Sequence, residues 1–334
     1  MAKDIRIGMM GMGGFMNVHS EALGKIAGVK VVALCDPVAK NRANHKARHA
    51  HLADAAEYGD YKAMLKREAL DAVVIASPHV NHFEQIMASL DKGLHVLVEK
   101  PMVSKISHGV QVVKKVRQTG LVLTIGYHRH TDGTYRYVRR EIAAGAIGKV
   151  QSIAAFQCQE WKKACKGLWR QVPELSCGGQ LNDSGSHLVD IVLWMTGLQA
   201  ETVSAQIDNC GTKVDINSAV NVRFTSGAVG TITVIGDAPS WWEDISIVGD
   251  KGAFHIRQGL GMTQQLGMRD ASLVVDAKAL GSASVSFDFI RAVKGEGKPV
   301  APAECGLRVI ELTEAAWKSG AQGGKPVRVP RSKL

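Results

Sequence analysis

Ile5-Arg6-Ile7-Gly8-Met9-Met10-Gly11-Met12-Gly13-Gly14-Phe15-Met16-Asn17-Val18-His19 is the stretch that decides how this 334-residue chain folds. Ile5 to Met10 is an apolar run of strand character, and the glycines interrupt it before a helical pattern begins around Phe15 and Met16. A strand passing through a glycine turn into a helix is the first unit of a doubly wound sheet that holds a dinucleotide. Gly11 permits the tight turn, Gly13 lets backbone approach a pyrophosphate, and the helix start offers N–H groups to the anion. Gly14 extends the turn. Met16 fills the position where a third glycine is usual, so its side chain must be accommodated where helix meets strand. Taken by itself, a glycine cluster of this kind is also what an ordinary turn looks like.

Outward from this unit the same rhythm continues. Lys30 to Cys35, Asp71 to Ala76, Leu94 to Val98 and Leu121 to Ile125 read as further strands. Helical patterns lie near residues 17–27, 38–52, 79–92 and 104–119, which predicts a Rossmann-type parallel sheet over residues 1–126. Asp36 follows the second strand, 25 residues after Gly11. A carboxylate there suits the adenosine ribose hydroxyls and repels a 2'-phosphate, so NAD is expected rather than NADP. Lys40 and Arg42 are the residues that could reverse that preference. Asp36 ahead of Pro37 also has the look of a helix cap. Ligands of such sheets sit beyond the carboxyl ends of the strands, and there the sequence places Ser77-Pro78-His79, Glu99-Lys100-Pro101 and Gly126-Tyr127-His128.

The rhythm changes after about residue 128. A helix is predicted near 132–144, a strand near 149–160 and a helix near 184–196. From Glu201 to about Val275, alternating strands are separated by turn signals such as Asn209-Cys210-Gly211, Ser226-Gly227 and Gly249-Asp250-Lys251-Gly252. Two more helices follow near 284–294 and 304–319. Residues 127–334 therefore read as an α+β domain built on a large, mainly antiparallel sheet, to which the family resemblance given below assigns substrate binding and subunit contact.

Composition narrows the function classes. A hydrophobic fraction of 46% supports a globular body of two domains at this length. No apolar run reaches the roughly 18 residues that span a bilayer, and the chain enters its first strand without an export leader. The six cysteines are scattered, with no metal-binding or redox CxxC pair. Reduced thiols, no metal and a cytoplasmic protein without membrane partners are the expectation. The balance of 41 basic to 31 acidic residues gives +10, but the basic residues form no single run, which argues against nucleic acid and suits an anionic cofactor.

On these residues the chain resembles the glucose-fructose oxidoreductase, inositol dehydrogenase and rhizopine-catabolism family (Gfo/Idh/MocA). The turn at Gly11, Gly13 and Gly14 carries the resemblance, with Asp36 and the run Asp71 to Pro78 leading to His82. So do Glu99-Lys100-Pro101 and the downstream element Gly178-Gly179-Gln180-Leu181-Asn182-Asp183-Ser184-Gly185-Ser186-His187-Leu188-Val189-Asp190. His79 departs from the asparagine that many members carry. The resemblance implies that Gly11, Gly13, Gly14, Phe15, Met16, Asp36, Ser77, Pro78, His79, His82, Glu99 and Lys100 bind NAD. It also implies that Lys100, Asp183 and His187 are catalytic on a hydroxyl of a sugar, cyclitol or related polyol, and that the protein is a homo-oligomer, a dimer or tetramer.

The chemistry fits those roles. Imidazole has a reference pKa near 6.5, suited to taking a hydroxyl proton, and a lysine ammonium can stabilise developing alkoxide. Asp183, four residues before His187, could orient the imidazole or Lys100. Tyr127, His128, Arg129, Trp161, Trp169 and Arg170 are candidates to hold the substrate. Blander readings stand beside these: Asp183 as a cap of a helix starting at Ser184, His187 as a core histidine, and Lys100 as a solvated loop lysine. Two other functions remain open. One is a redox-neutral enzyme that uses bound NAD for transient oxidation in glycoside cleavage, elimination or epimerisation, and the other is a catalytically silent NAD sensor.

Overall fold

The computed structural model describes residues 4–259, 261–266, 273–275 and 280–334. Residues 1–3, 260, 267–272 and 276–279 lie outside them, and 260 and 267–272 carry part of the strand-rich pattern read from Glu201 to about Val275. Six strands form the first sheet: β1 (Ile5–Met10), β2 (Val29–Cys35), β3 (Ala56–Tyr58), β4 (Ala72–Ile75), β5 (His95–Val98) and β6 (Leu123–Ile125). Their order is β3-β2-β1-β4-β5-β6 and every pair is parallel. Strands buried on both faces need unbroken apolar runs, and β4 is buried along its whole length. Helices α1 (Met16–Leu23), α2 (Ala39–Arg48), α3 (Tyr61–Arg67), α4 (His82–Asp91) and α5 (Ile106–Thr119) make the crossovers.

β3 and α3 fall where the sequence reading expects no element. β3 is three residues long and sits at the sheet edge, too short to show a period. Asp60 caps α3, accepting from the Lys62 and Ala63 backbone N–H groups at 3.1 and 3.3 Å.

Next come α6 (Gly133–Ala143), β7 (Val150–Cys158), the single turns α7 (Trp161–Ala164) and α8 (Pro173–Ser176), and α9 (Gly185–Thr196). β8 (Ala200–Asp208), β9 (Asn217–Phe224), β10 (Val229–Ile235), β11 (Trp242–Gly249), β12 (Gly252–Arg257), β13 (Gly261–Leu266) and β14 (Leu273–Val275) follow. After α10 (Val285–Val293) and α11 (Ala303–Ala321), β15 (Val327–Arg328) ends the second sheet. Its nine strands run β14-β13-β12-β11-β7-β10-β9-β8-β15, antiparallel except for β7 with β10. On β9, Ser218, Val220, Val222 and Phe224 point inward while Ala219, Asn221 and Arg223 are exposed, so this sheet has one covered face and one open face.

α10 returns to the first sheet. Its Val285, Phe289 and Ile290 share an apolar cluster with Ile7, Met9, Met16 and Leu97. Met16 is wholly buried there, which is how the larger side chain is accommodated at the third-glycine position.

Candidate active site

Gly11 has φ +87°, and a Cβ on it would stand 2.6 Å from the Ser77 backbone nitrogen, so neither conformation nor space admits another residue. Gly13 and Gly14 face open space, with no atom within 4 Å of a built Cβ. No side chain caps α1, whose first turn begins at the half-exposed Phe15. A tight turn, a bare backbone and an uncapped helix start together fit a pyrophosphate.

Asp36 is buried at the adjacent strand end. Its Oδ2 accepts from the Met12 N–H at 2.8 Å, and its Oδ1 from Val38 N–H at 2.8 Å and Asn41 Nδ2 at 3.1 Å. The carboxylate thus braces the turn that leads into α2, which starts at Ala39 behind Val38 and not at Pro37. Arg42 donates to the Asp36 carbonyl and to Glu57 Oε2 at 3.2 Å, so its guanidinium is already engaged.

The centre of the site is Asp183. Its Oδ1 accepts from Lys100 Nζ at 2.6 Å, and its Oδ2 accepts from Trp161 Nε1 at 2.8 Å and Arg170 Nε at 3.0 Å. His79 Nε2 stands 3.7 Å from Oδ1. Burial pushes this carboxyl up, but Lys100, His79 and Arg170 outweigh it and hold the group far below the usual carboxylate range. Asp183 does not cap α9: the cap position is Ser184, which has no side-chain cap bond. Nor does its carboxylate turn to His187, because α9 starts only at Gly185 and the bonded partners come from elsewhere in the chain.

Lys100 follows β5 and precedes a cis bond to Pro101. Its ammonium also donates to the Asp183 carbonyl at 3.3 Å. His187 lies on the first turn of α9, half-buried, with the Tyr127 ring edge-on at 5.9 Å between centroids. Burial, reinforced by the charges of Lys100 and Arg129, pushes its pKa well below the ordinary histidine value. The ring is therefore neutral at pH 7.

A second carboxylate, Glu99, receives His19 Nε2 at 2.9 Å and the Lys100 backbone N–H at 3.2 Å, with His128 Nε2 at 3.5 Å. Burial raises this carboxyl, but the neighbouring His128 and His19 imidazoles more than reverse the effect. His19 is fixed from behind by Ser286 Oγ on α10 at 2.9 Å.

The remaining expected residues divide between the crevice and its frame. Ser77 donates to Gln85 Oε1 at 2.7 Å, and His82 is fully buried between the carbonyls of Pro101 and Ser77 at 2.8 and 2.9 Å. Pro78 leads into a single 3-10 turn. His79 donates its Nδ1–H to the Ser176 carbonyl, 2.9 Å away, and its ring meets that of Trp169 edge-on at 4.7 Å between centroids. Arg170 stacks over Trp169 at 4.5 Å. Tyr127 is buried behind His187, and Arg129 turns to Glu243.

Sequence reasoning missed His19, Gln157, Asp215 and Glu243. Asp215 receives the backbone N–H groups of Gly179 and Leu181 at 2.9 and 2.7 Å, and Trp317 Nε1 at 3.0 Å, which fixes the loop carrying Asp183. Gly179 is needed because a Cβ would run into the Asp215 backbone. No local signal marks Asp215, since its partners are tens of residues away.

A parallel dinucleotide-type sheet, a glycine turn and a lysine locked to a carboxylate across the crevice define an NAD-binding oxidoreductase. Residues 5–127 match the model of the oxidoreductase family with an NAD-binding Rossmann fold, and residues 135–255 match the GFO/IDH/MocA C-terminal domain. The chain belongs to the Gfo/Idh/MocA family. It is 26% identical over 268 residues to scyllo-inositol 2-dehydrogenase (NAD(+)) of Bacillus subtilis, covering 77% of this chain and 75% of that protein. It is 23% identical to D-glucoside 3-dehydrogenase of Escherichia coli, over 96% of each. Among solved structures, the WlbA dehydrogenase of Bordetella pertussis in complex with NADH and UDP-GlcNAcA superposes with a TM-score of 0.86 at 22% identity, over 99% of both chains.

Proposed function

We propose that this protein is an NAD-dependent dehydrogenase that oxidises a ring hydroxyl of a sugar, cyclitol or related polyol, with Lys100, Asp183 and His187 as its catalytic group. NAD, held at the Gly11 turn and Asp36, supplies the hydride acceptor. Removing hydride from a carbinol carbon requires the hydroxyl proton to leave as well. His187 accepts that proton on a ring nitrogen, which its neutral state at pH 7 leaves available.

Lys100 has three N–H donors, of which Asp183 takes up two, leaving one for the substrate oxygen. Developing alkoxide charge at that oxygen is stabilised by the ammonium. Asp183 stays ionised and orients Lys100, while Trp161 and Arg170 fix Asp183 in turn. The single observation that carries this reading is the 2.6 Å pairing of Lys100, at the end of a strand of the first sheet, with Asp183 from the second half, four residues before the neutral His187 imidazole. Relatives named for inositol and glucoside dehydrogenation support the substrate class. The open face of the second sheet, where Asn221, Arg223 and Val229 stand exposed, is where we place the homo-oligomer contact.

The test is NADH absorbance with a panel of inositols, aldoses and methyl glycosides. Turnover on at least one class is expected, and silence across the panel would reject the reading.

A further inference from the structure

Polar side chains form a row along the inner face of the second sheet, leading away from α9. Gln157 on β7 lies directly opposite Glu243 on β11, and both are buried. Gln157 Nε2 donates to Ser184 Oγ at 2.7 Å, so the row begins beside Asp183. Glu243 pairs with Arg129 and accepts from Tyr135 Oη at 3.1 Å. Gln258, just beyond β12, donates its backbone N–H to the Glu243 carbonyl at 3.0 Å.

At this end a cavity of about 300 Å³ opens, lined by Arg129, Tyr135, Trp241, Glu243, Arg257 and Gln258. That is the size for one ring-sized group at the lower end of ligand pockets. Gln157 Oε1, Arg129 Nη1 and Gln258 Oε1 are buried without a partner among the described residues. Such atoms are rare unless water or a ligand meets them. Trp241 stands at the rim, 41% exposed.

Both cations of the wall are engaged, Arg129 with Glu243 and Arg257 with Asp244 at 3.1 Å, and the wall also carries Asp132, whose carboxylate accepts from the Thr134 N–H at 2.8 Å and Ser282 Oγ at 3.3 Å. Donors and acceptors with no cation left unpaired, beside one indole, suit a neutral polyhydroxylated ring better than a carboxylate or phosphate.

We propose that this cavity is a second sugar subsite, and that the substrate is a glycoside with one ring oxidised at Lys100 and His187 and a second, neutral ring against Trp241. The inference rests on the dehydrogenase reading given above. Its test compares kcat/KM for a set of disaccharides (cellobiose, maltose, lactose, trehalose) with that for the methyl glycosides of the same oxidised rings. Wild type favours at least one disaccharide. In Trp241→Ala and Gln258→Ala that preference shrinks by about tenfold, as expected for a lost ring contact, and Trp241→Phe restores part of it. Thermal melts monitor folding.

A methyl glycoside used as well as every disaccharide would overturn the subsite, as would equal losses on both substrate types or a change of oligomeric state in Trp241→Ala. If wild type oxidises only inositols or free aldoses, the glycoside proposal is overturned while the dehydrogenase reading stands; if it oxidises none of these either, the dehydrogenase reading fails, and the subsite is then judged by tryptophan fluorescence. Disaccharides that titrate the signal where methyl glycosides do not would uphold it, and no titration would reject it.

Discussion

Asp183 and Glu99 are both carboxylates shut away from water at the crevice, and the protein keeps each ionised by a different route. Around Asp183 stand a lysine, an arginine, an indole N–H and a histidine, drawn from both halves of the chain. Around Glu99 stand two imidazoles and the backbone N–H of its own neighbour. Full charges hold the first, and groups that can be neutral hold the second. Removing the Asp183 charge therefore strands cations, whereas removing that of Glu99 leaves histidines that can change tautomer.

Asp183→Asn is the severest way to break this contrast. Lys100 and Arg170 lose their counter-charge, with a stability cost of about 3 kcal/mol, the low end for a buried pair because Arg170 reaches solvent. Turnover falls with the loss of Lys100 orientation. Chemical denaturation beside initial rates measures both, and unchanged stability would mean that Asp183 is no electrostatic centre.

His187→Gln sharpens the comparison by separating chemistry from stability. A loss of about 10²–10⁴-fold in kcat is expected for a general base, with little change in unfolding midpoint. The pH profile carries a further signature. A base works above its pKa, and burial places the His187 pKa below 6.5, so the acid limb of kcat/KM in wild type lies below pH 6.5 and vanishes in the variant. A limb centred above 6.5 would contradict the neutral, half-buried ring.

The mildest change is Glu99→Gln, which keeps the shape and leaves hydrogen bonding possible. A cost of about 1 kcal/mol is expected. A loss as large as that of Asp183→Asn would erase the distinction between the two carboxylates.

The same contrast explains how far the sequence could be read. β1, β2, β4, β5 and β6 announce themselves through apolar runs ending in glycine or polar residues, and α6, α9 and α11 through their periodicity. Lys100, Asp183 and His187 stand out because each sits in a short motif that the family resemblance supplies. β3 is too short to carry a pattern. Asp215, Gln157 and Glu243 were invisible for a different reason: each acts through partners far along the chain, Asp215 through Gly179, Leu181 and Trp317, Gln157 through Ser184, and Glu243 through Arg129 and Tyr135, and an isolated amide or acid on a strand such as β7 or β11 looks like an outward-facing residue. Asp183 itself was read as a possible cap, since proximity to a helix start is visible in sequence whereas a lysine 83 positions away is not.

α10 gives the molecule a strap. Because Val285, Phe289 and Ile290 lie under β1 and α1, a fragment cut after β6 would bare an oily groove, forfeiting on the order of 1.5–3 kcal/mol for each missing side chain. Ser286 would no longer back His19, so the Glu99 cluster would slacken in the same cut. Grafting this nucleotide module onto another partner thus calls for carrying a piece of the far terminus with it.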